Sequence, residues 1–209
     1  MYRFSPSPMG DMSINDLRFA LMNYLRATQA GEQFIVRMGG EDQDILDMLA
    51  LFGIDYSQLY YQSNNFKYHL QFASTLLDTK KAFICFCPQK DEVSPCDGTC
   101  EHLSSQEVIN NPRPFVIRMK KPNHEIDSFV IMSTNKYPTS TFANACDDML
   151  QGVTTLIQED KHLNDTLKEE WIRKSLGYDQ AIKYVHIPAI QSQMDENSVK
   201  GLLDQGFMP

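Results

Sequence analysis

Tyr2-Arg3-Phe4-Ser5-Pro6-Ser7-Pro8-Met9-Gly10-Asp11-Met12-Ser13-Ile14-Asn15-Asp16-Leu17-Arg18 lies at the start of the chain. It reads as a short apolar strand, a turn punctuated by Pro6, Pro8 and Gly10, and a helix opening at Asn15 or Asp16. Leu17, Leu21, Tyr24 and Leu25 continue the helix at its own spacing to about residue 28. A strand, a turn and a helix in that order make the first step of a nucleotide-binding fold, whose helix N-terminus turns backbone N–H groups toward phosphate.

Outward from this stretch, apolar runs and helical faces alternate. Phe34, Ile35 and Val36 form a buried strand after the Gly31 break. Ile45, Leu46, Met48, Leu49 and Phe52 form a helix face that Gly53 closes. Further helices are expected over 67–77, 164–176 and 199–205, and strands over 154–157 and 184–187. That alternation predicts an α/β protein with a Rossmann-like parallel sheet. Residues 82–132 interrupt it with strands at 82–86, 115–119 and 128–132, and they hold four of the five cysteines. The expected organisation is a first core half at 1–81, an inserted Cys-rich subdomain at 82–126, and a second core half at 127–209.

Bulk properties narrow the function. A chain of 209 residues with 42% hydrophobic and 22% charged residues is ordinary for a globular protein. No apolar run approaches the roughly 20 residues of a membrane span, and no secretory signal is visible, so a cytoplasmic location is expected. A net charge of −8 argues against indiscriminate nucleic-acid binding. Arg113, Arg118, Lys120 and Lys121 form the best local basic cluster, with Lys80, Lys81 and Lys90 a second. Solvated surface charge is the favoured reading of both.

Cys85, Cys87, Cys96 and Cys100 place four thiols within 16 positions. Without a signal peptide, a metal site is favoured over a disulfide framework. Zinc suits four thiolates and, with four protein ligands, has no open position for catalysis. His102 is an alternative to one thiolate. Pro95 and Gly98 supply the turn of a knuckle, and Cys146 is read as core packing.

The opening stretch resembles that of glutamyl-tRNA synthetases, which run Arg-Phe-Ala-Pro-Ser-Pro-Thr-Gly, a spacer, then His-Ile-Gly-His or His-Ile-Gly-Asn. The likeness extends along nearly the whole chain. It includes Leu51-Phe52-Gly53-Ile54, Tyr61-Gln62-Ser63, Asp97-Gly98-Thr99-Cys100, Pro114-Phe115-Val116-Ile117-Arg118, Gly152-Val153-Thr154 and His186-Ile187-Pro188. The family resemblance implies a class I synthetase catalytic core and an ATP-dependent ligase reaction, with glutamate, ATP and tRNA as partners and a structural zinc at the four cysteines. It also implies substrate contacts from Arg3, Ser5, Ser7 and Asn144, with Arg3 binding the side-chain carboxylate of glutamate.

The departures fall on the phosphate-handling and amino-acid-binding positions. Ser13-Ile14-Asn15-Asp16 stands where the family has His-Ile-Gly-His, and Asp16 adds negative charge there. The stretch 189–197 stands where a Lys-Met-Ser-Lys-Ser-like loop is expected and contains no Lys; Lys200 lies beyond it. Arg37-Met38-Gly39-Gly40-Glu41-Asp42 replaces Arg-Ile-Glu-Asp-Thr-Asp, Gln158 replaces an Arg, and Ser140 replaces a Tyr. A neutral amide cannot form the bidentate contact of a guanidinium. His162 matches a family position, with a structural role favoured. Asp147 and Asp148 are a candidate metal or acid/base pair, with orientation of a loop favoured.

The sequence is therefore identified as a glutamyl-tRNA synthetase-like catalytic-domain protein with aminoacylation lost or strongly impaired and no residue assigned a catalytic role. The segment between Lys121 and Asp127 is shorter than the family's acceptor-stem subdomain, so tRNA binding is expected to be weakened. A monomer is expected. Two alternatives are an active glutamyl-tRNA or tRNA-base glutamyl ligase with a remodelled site, and a zinc-stabilised, non-catalytic binding module.

Overall fold

The computed structural model describes residues 1–6, 11–88, 96–121, 126–190 and 198–208. They divide into two compact units, one of Met1–Asn64, Gly152–Asn164 and Gln180–Pro209, the other of Asn65–Gln151 and Asp165–Asp179.

In the first unit, strands β1 (Tyr2–Phe4), β2 (Phe34–Met38) and β3 (Gln58–Tyr61) lead outward from the sheet centre. Helices α1 (Ile14–Ala30) and α2 (Gln43–Leu51) connect them. Strands β7 (Thr155–Glu159) and β8 (Lys183–Ile187) complete a five-stranded sheet in the order β3-β2-β1-β7-β8, every pair parallel. This is the parallel α/β sheet that the alternation predicts. Parallel strands need both faces covered, and β1 and β2 are buried at every residue. Tyr2, Phe4, Val36 and Met38 pack with Phe19, Ala20 and Ala27 of α1, Ile45 and Leu49 of α2, and Val199 of the short helix α7 (Val199–Asp204).

Helix α1 runs two residues longer at each end than its apolar spacing suggests. Its end is set by Gly31, whose φ of 64° lies in the left-handed region. Strand β3 is missed by the sequence reading because it is a four-residue edge strand in which no residue is fully buried.

The second unit has a different architecture. Strands β4 (Ala82–Cys85), β5 (Val116–Met119) and β6 (Phe129–Met132) form an antiparallel sheet in that order. It is accompanied by helices α3 (Phe66–Asp78), α4 (Ser105–Ile109), α5 (Ser140–Gln151) and α6 (Leu163–Ser175). Its main core joins Leu76, Met119, Ile131, Phe142, Cys146 and Ile172. Cys146 is fully buried there, as core packing requires.

One expectation about a charged residue is corrected. Arg118 belongs to no solvated basic cluster: it is 1% exposed, and its guanidinium donates to the Ser128 carbonyl at 2.8 Å. The surroundings of Asp147 and Asp148 are polar and enclosed. Both lie on α5, fully buried, and Asp147 accepts from Asn65 at 2.9 Å and meets His69 Nε2 at 2.8 Å at the start of α3. Apolar spacing masked these roles, because a charged residue on a strand or helix reads as surface until its partner is known.

Candidate active-site region and thiol cluster

Strand order reverses between β1 and β7, and in open α/β sheets the crevice at the carboxyl ends of such a pair is where ligands bind. The strands share only the Tyr2↔Thr155 register and then part. Asn23, buried on α1, fills the backbone deficit. Its Oδ1 accepts from the Ile157 N–H at 3.1 Å, and its Nδ2 donates to the Ile157 carbonyl at 2.9 Å and to Phe19 at 2.8 Å. Sequence reasoning missed Asn23; a polar residue amid the apolar stripe of a helix was the available signal.

Two of the residues that could serve substrate belong to this sheet. Arg3 lies on β1 with 7% of its surface exposed. Ser5 follows that strand and donates its hydroxyl proton to the Arg37 carbonyl at 2.9 Å. Ser7 lies outside the described residues. Asn144 sits half-buried on α5, in the other unit. The structure thus groups Arg3 and Ser5 at one strand end.

At the start of α1, Ser13 and Asp16 form a reciprocal capping box. Ser13 Oγ accepts the Asp16 N–H at 3.0 Å, while the Asp16 carboxylate accepts from the Ser13 N–H at 3.3 Å and from its hydroxyl at 2.7 Å. Two backbone N–H groups that an anion could have used are thereby satisfied from within the chain.

Gln158 lies on β7 opposite His186 on β8, their side-chain nitrogens 3.2 Å apart. The Lys161 ammonium is 2.5 Å from Glu159, whose side chain is largely buried. His162 ends a 3-10 turn over Asp160–His162 and is half-buried. Lys200 faces Asp44 at 3.5 Å.

In the second unit, Cys85 ends β4, Cys87 follows it, and Cys96 and Cys100 flank the start of a 3-10 turn over Thr99–His102. The Gly98 φ of 90° supplies the reversal between them, in the left-handed region. All four Sγ atoms lie within 4.8 Å of one another, and Cys87 is 3.7 Å from both Cys96 and Cys100. Zinc–sulfur bonds of about 2.3 Å in a tetrahedron place sulfurs about 3.8 Å apart, so the donor set and its spacing fit a zinc ion. The Phe86 N–H donates to Cys100 Sγ at 3.4 Å, a contact that favours thiolate. His102 is not in the group.

Without metal, burial pushes the Cys85 thiol up to about 12, and burial also raises that of Cys87. Burial pushes Cys96 upward too, but the backbone N–H groups of Gly98 and Cys100 and the neighbouring thiols outweigh it and bring it below its usual value. The thiols pack on Phe83, Val116 and Val130, a small apolar core of their own.

Comparison with known proteins accords with this architecture. The family described as tRNA synthetases class I (E and Q), catalytic domain, matches residues 1–123 and 104–200. Glutamate–tRNA ligase 1 of Campylobacter concisus (strain 13826) is 42% identical over 255 aligned positions, which take in 100% of this chain and 59% of that protein. The corresponding Campylobacter jejuni (strain RM1221) protein is 40% identical with the same coverage. The chain thus spans 59% of the length of these relatives. An alignment longer than the 209 residues also means that the relatives carry stretches this chain lacks.

Among solved structures, a glutamate tRNA ligase from Elizabethkingia meningosepticum, in complex with its amino acid, superposes with a TM-score of 0.82 at 22% identity. It covers 100% of this chain and 53% of its own. The glutamate–tRNA synthetase of Elizabethkingia anophelis gives 0.81, also at 22%. At that identity the likeness establishes the Rossmann-like class I core. With the sequence match over most of its length, the chain belongs to the class I tRNA synthetase (E and Q) catalytic-domain family.

Proposed function

We propose that this chain is a glutamyl-tRNA synthetase-like catalytic-domain protein whose aminoacylation is lost or strongly impaired. The capping box of Ser13 and Asp16 carries the reading. These residues stand where the family's signature histidines would meet the phosphates of ATP, and both are committed to the helix end. A carboxylate beside the transferring phosphate works against the charge stabilisation this chemistry needs.

Two features point the same way. The stretch 189–197 supplies no Lys to the nucleotide, and Gln158, in the place of an Arg, pairs sideways with His186. Arg3, Ser5, Ser7 and Asn144 are the proposed substrate contacts, with Arg3 positioned for the glutamate side chain. ATP and glutamate are the proposed small-molecule partners, and tRNA binding is weakened. A structural zinc on Cys85, Cys87, Cys96 and Cys100 goes with this reading. So do the three-part organisation at 1–81, 82–126 and 127–209, a monomeric state and a cytoplasmic location. Among the described residues no helix is long and apolar enough to cross a membrane.

Glutamate-dependent ATP–pyrophosphate exchange tests the proposal. Exchange near background is expected, with any residual signal removed by Arg3→Ala. Robust exchange by the unaltered protein would overturn the proposal in favour of an active ligase with a remodelled site. Calorimetry with a glutamyl-adenylate mimic separates retained binding from lost chemistry, and a chain that captures neither ATP nor the mimic fits a pure binding module.

A further inference from the structure

Lys136 holds a backbone conformation that its own side chain disfavours. Its φ of 69° lies in the left-handed region, where glycine is the residue of least strain. It sits in the turn between β6 and α5, which two backbone bonds close. The Ser133 N–H donates to the Tyr137 carbonyl at 2.9 Å, and the Lys136 N–H to the Ser133 carbonyl at 3.0 Å. A residue other than glycine keeps such a conformation only where its surroundings hold it. Here the Lys136 ammonium lies 3.1 Å from the centre of the Phe115 ring, whose face attracts the charge.

Phe115 is in turn positioned from the thiol cluster. Its ring meets that of Phe86 edge to face, with centres 6.0 Å apart and planes at 67°. The two residues flank the Cys85↔Val116 pair, where β4 ends and β5 begins. Phe86 stands between Cys85 and Cys87 in the chain, and its N–H donates to Cys100 Sγ at 3.4 Å. Three of the four thiols therefore fix the Phe86 backbone once a metal gathers them. All of these residues belong to the second unit.

We infer that metal occupancy of the thiol cluster sets the conformation of the 133–137 turn, through Phe86 and Phe115 to Lys136. With metal bound, Phe86 holds the Phe115 ring under the ammonium and the strained turn persists. Without metal, Phe86 loses its anchorage, the ring moves from the ammonium, and Lys136 relaxes out of the left-handed region. The turn leads directly into α5, where Thr139 accepts the Phe142 N–H at 3.4 Å and where Asn144 sits. The inference rests on the zinc proposed above and goes beyond a structural role for it. The metal becomes a control on the entry to a helix that carries a proposed substrate contact.

Amide hydrogen exchange of the full chain, zinc-loaded and chelated, tests the coupling, with zinc affinity read by competition against a chelating indicator. Chelation should speed exchange at the Lys136 amide by about fivefold or more, while the Cys146 amide within α5 stays unchanged. Phe115→Leu keeps apolar bulk but removes the ring, so its Lys136 amide should exchange at one rate with or without zinc. Coupling is reciprocal, so Phe115→Leu should also weaken zinc binding by about the same factor.

Lys136→Gly adopts the left-handed region without help, and its turn should stay protected after chelation. That variant alters an exposed turn and decides the matter if Phe115→Leu does not fold. Zinc release that leaves the Lys136 amide unchanged overturns the inference, as does equal acceleration at Cys146, which marks general unfolding. A zinc-dependent difference that survives in Lys136→Gly overturns it too. Each of these results leaves the zinc itself in place, whereas a chain that takes up no zinc overturns both.

Discussion

Asn23 of α1 holds both backbone groups of Ile157 in β7, its amide oxygen on the N–H at 3.1 Å and its amide nitrogen on the carbonyl at 2.9 Å. The side chain does for β7 what a neighbouring strand would otherwise do, at the point where β1 and β7 have parted. Asn23→Ala should therefore cost about 1–3 kcal/mol for each Ile157 group left bare. Urea unfolding followed by circular dichroism measures this, and a loss below about 0.5 kcal/mol would show that the groups are satisfied otherwise.

The box at the start of α1 predicts a smaller effect with a coupling signature. Ser13→Ala should lower stability by about 1 kcal/mol, the usual worth of an N-cap. Asp16→Ala should cost a similar or smaller amount. Because each residue serves the other, the double variant should lose less than the sum of the two. Strict additivity would mean that the reciprocal bonds do not form in solution.

The second unit has its own polar anchor. Asp147 receives Asn65 and His69 with its side chain and that of His69 sealed from water. Asp147→Ala should destabilise this unit by about 3–5 kcal/mol, as removal of one partner from a buried pair does. Trp171, the single tryptophan, packs on the same core and provides the fluorescence readout. An unchanged unfolding midpoint would remove the pair from the account of stability.

The thiol cluster predicts a metal and a local dependence on it. About one zinc per chain is expected after metal-replete expression, and less than about 0.2 would rule the site out. A chelator should loosen the residues around β4 and the Thr99–His102 turn while the parallel sheet stays folded, because metal affinity adds to the stability only of the segment that holds the ligands. Cys100→Ser should abolish zinc retention. Cys146→Ser should leave zinc content unchanged, since Cys146 packs in the core beside Met132 and Phe142.

Acidity separates the metal-free and loaded states. In chelated protein the Cys85 thiol is pushed up to about 12 by burial, so its folded form resists ionisation. A thiol ionises near pH 8.5 in the unfolded chain, and its contribution is intact below that value. The contribution is then lost progressively as the pH rises toward about 12. Loaded protein should show the opposite trend at lower pH, losing zinc on acidification because protons compete for the thiolates. Thermal midpoints of chelated protein from about pH 9 to 11, and zinc retention of loaded protein from about pH 7 down to 5, test the two directions; a chelated midpoint that rises above about pH 9 would contradict the burial of Cys85.

The sequence alone determined the parallel α/β class, because buried strands read as continuous apolar runs and surface helices as a 3.6-residue stripe, and both patterns are local. It also determined the four-thiol set, whose spacing within 16 positions is visible in one dimension, and the presence of Ser13 and Asp16 where the family resemblance implies histidines. The tertiary structure alone decided what the polar residues do. Asp147 and Arg118 are indistinguishable in sequence from exposed polar residues, and the break that Asn23 makes in the apolar stripe of α1 does not name its partner; these roles depend on partners 78, 10 and 134 residues away. It also decided that Ile190, just past β8, meets Asn15 of α1, a contact that spans 175 residues and has no local signature. Apolar periodicity records which face is buried; the pairing of polar groups is settled only once the fold has brought them within hydrogen-bonding distance.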